Sequence, residues 1–172
     1  MKLYFLTGNE NKLREARSFI EDIEGLKLNL IEIQSINPEE IIKHKLQEAK
    51  KLHNGNFIVE DTSLGIECLN GLPGPLVKWF EETVGLEGIV NIVDKKNNKA
   101  TAKCVVGLSI NDEVKFFEGT VKGKIVSCKG ENGFGWDKIF VPEGYNKRFS
   151  EMSPEEKNSI SHRKLAFEKL KE

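Results

Sequence analysis

Apolar residues recur along this 172-residue chain with two periods, and the switches between them outline its elements. Residues 2–6 are short and mostly apolar and stop at Gly8-Asn9, which predicts a buried strand running into a polar turn. Leu13, Ala16, Phe19 and Ile20 follow at helical spacing. Leu26, Leu28 and Leu30 alternate with polar residues and predict a second, half-buried strand. Asn37-Pro38 marks a helix start with proline at its first position. Ile41, Ile42, Leu46, Ala49 and Leu52 supply the apolar stripe of that helix, and Asn54-Gly55-Asn56 stops it. Phe57-Ile58-Val59 reads as a third short strand ending on Glu60-Asp61-Thr62.

Beyond it, the turn Gly71-Leu72-Pro73-Gly74-Pro75 leads into two short helical patterns that reach Val93. A polar loop over residues 94–99 comes next. Residues 100–110 and 113–126 predict an antiparallel pair with Asn111-Asp112 at its turn. Ile139-Phe140-Val141 is a last short strand before Pro142. Ser153-Pro154-Glu155-Glu156 has capping-box spacing, and Ile160, Lys164, Phe167 and Lys171 form a helical row after it. Strands alternating with helices, followed by an antiparallel section, predict an α/β class with a mixed sheet.

Composition adds little to that picture but narrows the partners. The chain is 38% hydrophobic and 31% charged, which suits a soluble protein, and its length suits one domain over residues 1–172. A formal net charge of −1 speaks against a general nucleic-acid binder. Cys68, Cys104 and Cys128 form no CxxC pair, so a reducing, cytoplasmic compartment is expected. No run is apolar enough for a signal-peptide core or a membrane span.

Four stretches carry candidate chemistry. In Thr7-Gly8-Asn9-Glu10-Asn11-Lys12 a strand turns through glycine into a helix, a geometry that aims backbone N–H groups at an anion while Lys12 adds positive charge. The plainer reading is a turn with an asparagine cap. In Glu60-Asp61-Thr62 two adjacent acids face opposite ways if the strand persists, so one can enter a cleft and hold Mg²⁺ or a water. A solvated turn is the alternative. Gly133-Phe134-Gly135-Trp136-Asp137 offers aromatic faces for stacking a base, or else an aromatic core plug. In Lys157-Asn158-Ser159-Ile160-Ser161-His162-Arg163-Lys164, one continuous helix would put Lys157, Ser161 and Lys164 on one face. A cap at Ser161 would instead place His162 and Arg163 in a first helical turn.

Taken in order, TGNENK, VEDTSL, GLPG, FGWD and the Glu151-Met152 to SHR segment resemble the inosine triphosphate pyrophosphatase (ITPase) family, over residues 3 to about 168. The resemblance implies an elongated mixed sheet flooring a cleft between two lobes. It implies Mg²⁺-dependent hydrolysis of ITP, dITP and XTP to the monophosphate and pyrophosphate, by a homodimer that needs neither nucleic acid nor membrane. Carried over by motif, Thr7, Gly8, Asn9, Glu10, Asn11 and Lys12 would hold the triphosphate. Asp61 would bind Mg²⁺ as the acid nearest the attacking water, with Thr62 touching substrate. Phe134, Gly135, Trp136 and Asp137 would hold base and sugar, and Lys157, His162 and Arg163 would complete base recognition. Glu32, in Glu32-Ile33-Gln34, resembles a second metal ligand, although Ile31 stands where the family has proline. Leu76, Lys138 and Ser150 also depart from the family pattern without removing a catalytic group. The rival readings are a Maf-like pyrophosphatase of modified pyrimidine nucleotides, a non-catalytic nucleotide sensor or RNA-binding module, and a structural domain with no ligand.

Overall fold

The computed structural model describes residues 2–93, 95–111 and 113–172. Asp94 in the predicted polar loop and Asp112 of the predicted turn lie outside them. Strand β1 (Leu3–Leu6) leads into α1 (Glu10–Phe19), and β2 (Ile23–Leu26) precedes α2 (Pro38–Leu52). Strand β3 (Asn56–Ile66) is followed by β4 (Pro73–Gly74) and by helices α3 (Val77–Thr83) and α4 (Gly85–Ile92). Then come β5 (Lys99–Ile110), β6 (Glu113–Ile125), β7 (Phe140–Pro142), α5 (Pro154–Asn158) and α6 (His162–Lys171). The sheet order is β2-β1-β3-β5-β6-β7, with β4 beside β3. β1 runs parallel to β2 and β3, and the other pairs are antiparallel, so the expected mixed α/β sheet is present.

Two sequence expectations shift, and one open choice is decided. The second strand is Ile23–Leu26 rather than the Leu26-Leu28-Leu30 alternation, because its parallel register with β1 runs from Leu3↔Ile23 to Leu6↔Leu26. Leu28 and Leu30 pack on the core without joining a ladder. The strand expected to end on Glu60-Asp61-Thr62 continues to Ile66, held by antiparallel pairing with β5 from Phe57↔Ser109 to Ile66↔Ala100. Glu60 and Asp61 are therefore mid-strand residues rather than strand-end residues. Finally, no single helix spans 157–164: the Ser161 side chain caps a separate α6 by accepting from the Lys164 amide at 3.2 Å. Lys157 and Lys164 thus sit on different helices.

The long strands carry two apolar centres. Near the start of β3, Ile58 packs with Phe5, Cys104, Val106, Ala166 and Phe167 under α6, while Phe57 and Val59 pack with Ile42, Leu46 and Ala49 of α2 on the opposite face. Towards its end, Leu64 and Ile66 join Val77, Ile89, Trp136, Phe140 and Phe149. Between the two centres lie Glu60, Asp61, Thr62 and Ser63, a polar interruption on one continuous strand. That interruption separates the two lobes. Among the described residues, no helix is long and apolar enough to cross a membrane.

Glycine permits the closest layer contact. A Cβ on Gly119 would lie 2.0 Å from the carbonyl oxygen of His162 and 2.4 Å from the amide of Ala166, both backbone atoms of α6. Helix α6 can seat on β6 only because that side chain is missing. Gly119→Ala is expected to lower the unfolding free energy by about 2–3 kcal/mol through overpacking, measured by urea denaturation. An unchanged midpoint would show that α6 does not depend on this contact.

Candidate active site

The cleft opens where the sheet edge is left unpaired. β1 pairs with β3 only as far as Phe5↔Ile58, and β4 meets it from Leu64↔Gly74 onward. Residues 59–63 keep β5 as a partner on one side and, among the described residues, have no strand on the other. The C-terminal end of β1 therefore looks onto a gap in the sheet edge, the kind of position where open α/β sheets hold ligands. A cleft of about 510 Å³ occupies this gap, lined among others by Thr7, Gly8, Asn9, Lys12, Glu32, Glu60, Asp61, Thr62, Phe134, Gly135, Trp136, Asp137, Lys157, His162 and Arg163. Glu10 and Asn11 do not line it.

The first turn contributes less backbone than expected. The Asn9 side chain accepts from the amides of Asn11 at 3.0 Å and Lys12 at 3.3 Å, and Thr7 Oγ1 accepts from the Asn9 amide at 3.0 Å. The asparagine cap thus occupies two of the amides that an anion would use. What this turn offers the cleft is chiefly the ammonium of Lys12.

Beneath the cleft runs a buried chain of charges. Arg163 donates from Nε to Glu60 Oε2 at 2.7 Å and from Nη2 to Glu60 Oε1 at 2.8 Å, and its Nη1 contacts Glu15. Lys12 Nζ lies 3.2 Å from Glu60 Oε1. Lys157 Nζ bonds Glu15 Oε1 at 2.8 Å and Asp137 Oδ2 at 2.6 Å. Asp137 Oδ2 also accepts from the Phe134 amide at 2.8 Å, which caps the short turn carrying Trp136. Three acids therefore face three bases across β3, α1, α5, α6 and the aromatic turn. Such pairing is required here, since a charge without a partner at this depth would be strongly unfavourable.

The two adjacent acids of β3 have opposite environments. Burial disfavours the Glu60 carboxylate, but Arg163 and Lys12 outweigh it and hold its pKa down at about 2. Asp61 points to the other face. Burial, opposed only in part by Lys12 and Lys45, lifts its pKa to about 6. Its Oδ2 is buried with no hydrogen-bond partner among the described residues. Glu32 stands across from it, paired with Lys45 at 2.7 Å. Burial opposes the ionised form of Glu32, yet the Lys45 ammonium keeps its pKa below the usual value.

Of the aromatic stretch, Trp136 is the core plug: it is 6% exposed and packs against Phe140, with ring centroids 5.6 Å apart. Phe134 is only partly buried, and its ring carries Lys157 Nζ at 4.7 Å and Arg163 Cζ at 5.6 Å. His162 lies 5.2 Å from the Trp136 ring, and its Nδ1 has no hydrogen-bond partner among the described residues. Burial, with Arg163 and Lys157 nearby, pushes its pKa well below the ordinary value, so its imidazole is neutral. Ser150, one of the departures, is accommodated because its hydroxyl donates to the Lys129 carbonyl at 2.6 Å.

Sequence reasoning missed Glu15, Lys45, Glu81, Gln34 and Trp79. The signal for Glu15 was its place three residues after Lys12, on the same helical face. For Lys45, Glu81 and Trp79 the chain offers no local signal: Lys45 pairs with Glu32, and Trp79 Nε1 donates to Gln34 Oε1 at 2.5 Å across 45 residues.

Residues 3–172 match the profile of the Ham1 family. The chain belongs to that family. Its relatives include the inosine triphosphate pyrophosphatases of Yarrowia lipolytica, 42% identical with 99% of this chain and 94% of the relative covered, and of Scheffersomyces stipitis, 40% identical with 98% and 95% covered. Among solved structures, the Staphylococcus aureus Ham1 protein superposes with a TM-score of 0.82 at 30% identity, covering 98% of this chain and 96% of its own. A Ham1 protein from Coxiella burnetii gives 0.85 at 26% identity, with 99% and 96% covered. A nucleoside-triphosphatase described as a dITP/XTP pyrophosphatase, from Mycobacterium abscessus, gives 0.76 at 27%, with 99% and 98% covered. The mixed open sheet is thus the Ham1 fold.

The opposed environments of Glu60 and Asp61 predict opposite linkage. Glu60 has a depressed folded pKa, so the stability it contributes is present above about pH 4.5 and is lost as pH falls towards about 2. Asp61 has a raised folded pKa, so its contribution declines as pH rises from about 4 through about 6. At pH 8, Glu60→Gln is expected to destabilise by about 3 kcal/mol, because it leaves Arg163 without its main counter-charge. Asp61→Asn is expected to stabilise the metal-free protein by on the order of 1 kcal/mol. Thermal unfolding of the two variants at pH 5 and pH 8 measures both effects. A destabilised Asp61→Asn variant at pH 8 would contradict the assignment of Asp61 as an unpaired acid.

Proposed function

We propose that this chain hydrolyses the deaminated purine triphosphates ITP, dITP and XTP between the α- and β-phosphates, releasing the nucleoside monophosphate and pyrophosphate. The fungal relatives, themselves inosine triphosphate pyrophosphatases, support hydrolysis of ITP. The observation that carries the reading is Asp61: an acid with a buried, unpartnered oxygen, facing a cleft that also presents Lys12.

The residues present suit Mg²⁺. Mg²⁺ takes one or two carboxylates and fills its remaining positions with waters and phosphate oxygens. Asp61, with its free oxygen, and Glu32 are such a pair, and among the described residues no group of three or more ligands suggests a closed protein cage. When bound, the ion would neutralise phosphate charge and polarise the phosphorus centre. Lys12 would balance further charge on the triphosphate. Asp61 would accept hydrogen bonds from the attacking water and orient it towards the α-phosphorus. Glu60 is poorly suited to that task, because Arg163 and Lys12 hold both of its oxygens.

On the base side, the guanidinium of Arg163 has five N–H donors. Its contacts to Glu60 and Glu15 engage three of them. The neutral His162 and the remaining Arg163 donors suit the six-oxo group of hypoxanthine or xanthine, whereas adenine would bring an amino donor against donors. A site built on such contacts can discriminate by about 10⁴-fold. A homodimer and a cytoplasmic location belong to the same reading. The homodimer is measurable by light scattering, and the location agrees with three free cysteines.

Pyrophosphate release across the common and deaminated triphosphates, with and without Mg²⁺, tests the proposal. Fast turnover of ITP and XTP is expected only with Mg²⁺, with ATP slower by about 10³-fold or more. Comparable kcat/KM for ATP and ITP would refute the specificity. Asp61→Asn is expected to lower kcat by at least about 10²-fold while the protein stays folded. A near-normal kcat would remove Asp61 from the mechanism.

A further inference from the structure

We infer that Glu81 is a specificity-determining residue of the cleft, whose carboxylate accepts a hydrogen bond from the nucleoside half of the substrate, either from a ribose hydroxyl or from the purine N1–H. The inference rests on the reaction proposed above and adds to it a residue that no motif of the chain marks.

Glu81 sits in the second turn of α3 and lines the same cleft as Asp61. A Cβ built on Gly135 would lie 3.4 Å from Glu81 Oε1 and 3.5 Å from Oε2, so the carboxylate lies directly over that glycine. It thus stands beside the segment that presents Phe134 and Asp137, on the base and sugar side of the cleft rather than at the Lys12 end. Gly135 has a φ of 59°, a conformation that favours glycine, and the missing side chain leaves room for the approach.

The surroundings of Glu81 are short of positive charge. Asp137 faces it from the aromatic turn and Glu82 follows it on its own helix, and both disfavour its charge, while Lys12 of α1 acts in the opposite sense. Among the described residues it has no ion pair, and the nearby backbone amide of Trp136 favours its charged form. Its neighbour Glu82, by contrast, pairs with Lys78 at 3.9 Å. A carboxylate has about four lone-pair sites, and Glu81 lines the cleft, so it has acceptor capacity to offer a ligand there. Burial and Asp137 raise its pKa to about 7, as expected for a half-buried acid without a counter-ion.

A ligand can satisfy the ionised carboxylate by bringing a hydrogen-bond donor. Phosphates are anionic acceptors and cannot. The nucleoside can, through its ribose hydroxyls or through the N1–H of hypoxanthine and xanthine. Adenine has no N1–H, so a contact at that position would also act against ATP.

The test measures kcat/KM by pyrophosphate release for the unaltered protein, Glu81→Leu and Glu81→Gln. The substrates are ITP, 2′-deoxy-ITP, 3′-deoxy-ITP and 1-methyl-ITP. Glu81→Leu is expected to lower kcat/KM for ITP by about 10- to 100-fold. That loss should shrink to about twofold for the one analogue lacking the donor that Glu81 accepts. A vanished loss with 1-methyl-ITP assigns the base, and one with either deoxy analogue assigns the ribose. Glu81→Gln, which keeps an acceptor oxygen and the side-chain size, should retain more ITP activity than Glu81→Leu. Equal losses with all four substrates, or no loss with ITP, would overturn the inference and leave the reaction standing. Failure of the unaltered protein to release pyrophosphate from ITP would sink both.

Discussion

The Glu60–Arg163 pair is the contact on which the rest of the site depends. It ties the middle of β3 to the first turn of α6, and both partners are nearly inaccessible to water. A buried pair of this kind adds little net stability over an apolar pair, but it tolerates no loss of one partner. Its value lies in what it fixes. Arg163 also holds Glu15 of α1, Glu15 holds Lys157 of α5, and Lys157 holds Asp137 at the aromatic turn. Elements far apart in the chain are thereby set in one frame, and Lys12 is drawn over the gap by the same Glu60. Gly119 completes the frame, since only its missing side chain lets α6 come close enough to present Arg163.

Alternation along β3 then divides the labour. Glu60 turns towards α6 and is saturated with donors, while Asp61, one residue on, turns away and keeps an oxygen with no partner. A strand interior is a costly place for two acids: Glu60 is tolerated because Arg163 and Lys12 pair with it, and Asp61 stands where the sheet is open beside it. The unpaired stretch between β1 and β4 is thus both the weak point of the sheet and the opening that admits a ligand. Rigid neighbours on either side, the two apolar centres, keep that opening in register.

Local patterns made part of this legible from the chain. Asn37-Pro38 announced α2, the Ser153 capping box announced α5, and Thr7-Gly8-Asn9 announced the turn after β1, because each signal lies within a few residues. The extension of β3 to Ile66 was hidden, since Glu60 to Ser63 break the apolar run and only pairing with β5 holds them extended. The break between α5 and α6 depended on a serine cap that competes with a plausible helical row. The motifs located Asp61, Lys12 and Arg163, but not what each one touches. Trp136 illustrates the limit: its position next to a glycine suits a shelf or a plug equally, and only the packing against Phe140 makes it a plug. Glu81 was invisible because it reads as one charge on a short polar helix, and its relation to Gly135 spans more than fifty residues.

Charge balance explains why the cleft would call for a cation. Glu15, Glu60 and Asp137 are matched by Lys12, Lys157 and Arg163, and Glu32 is matched by Lys45. Among the described residues, Asp61 and Glu81 are the acids on the cleft wall left without an ion pair, and burial raises both of their pKa values. A triphosphate entering such a cleft would meet these two acids at short range, with Lys12 already shared with Glu60 and Lys78 with Glu82. Like charges at close range in a partly dry site repel by several kcal/mol. A divalent ion between Asp61 and the phosphates would turn that repulsion into attraction, which gives the proposed Mg²⁺ requirement a cause in the protein's own charge distribution. Glu81 would remain unmatched by that ion, so the donor it lacks has to arrive with the nucleoside.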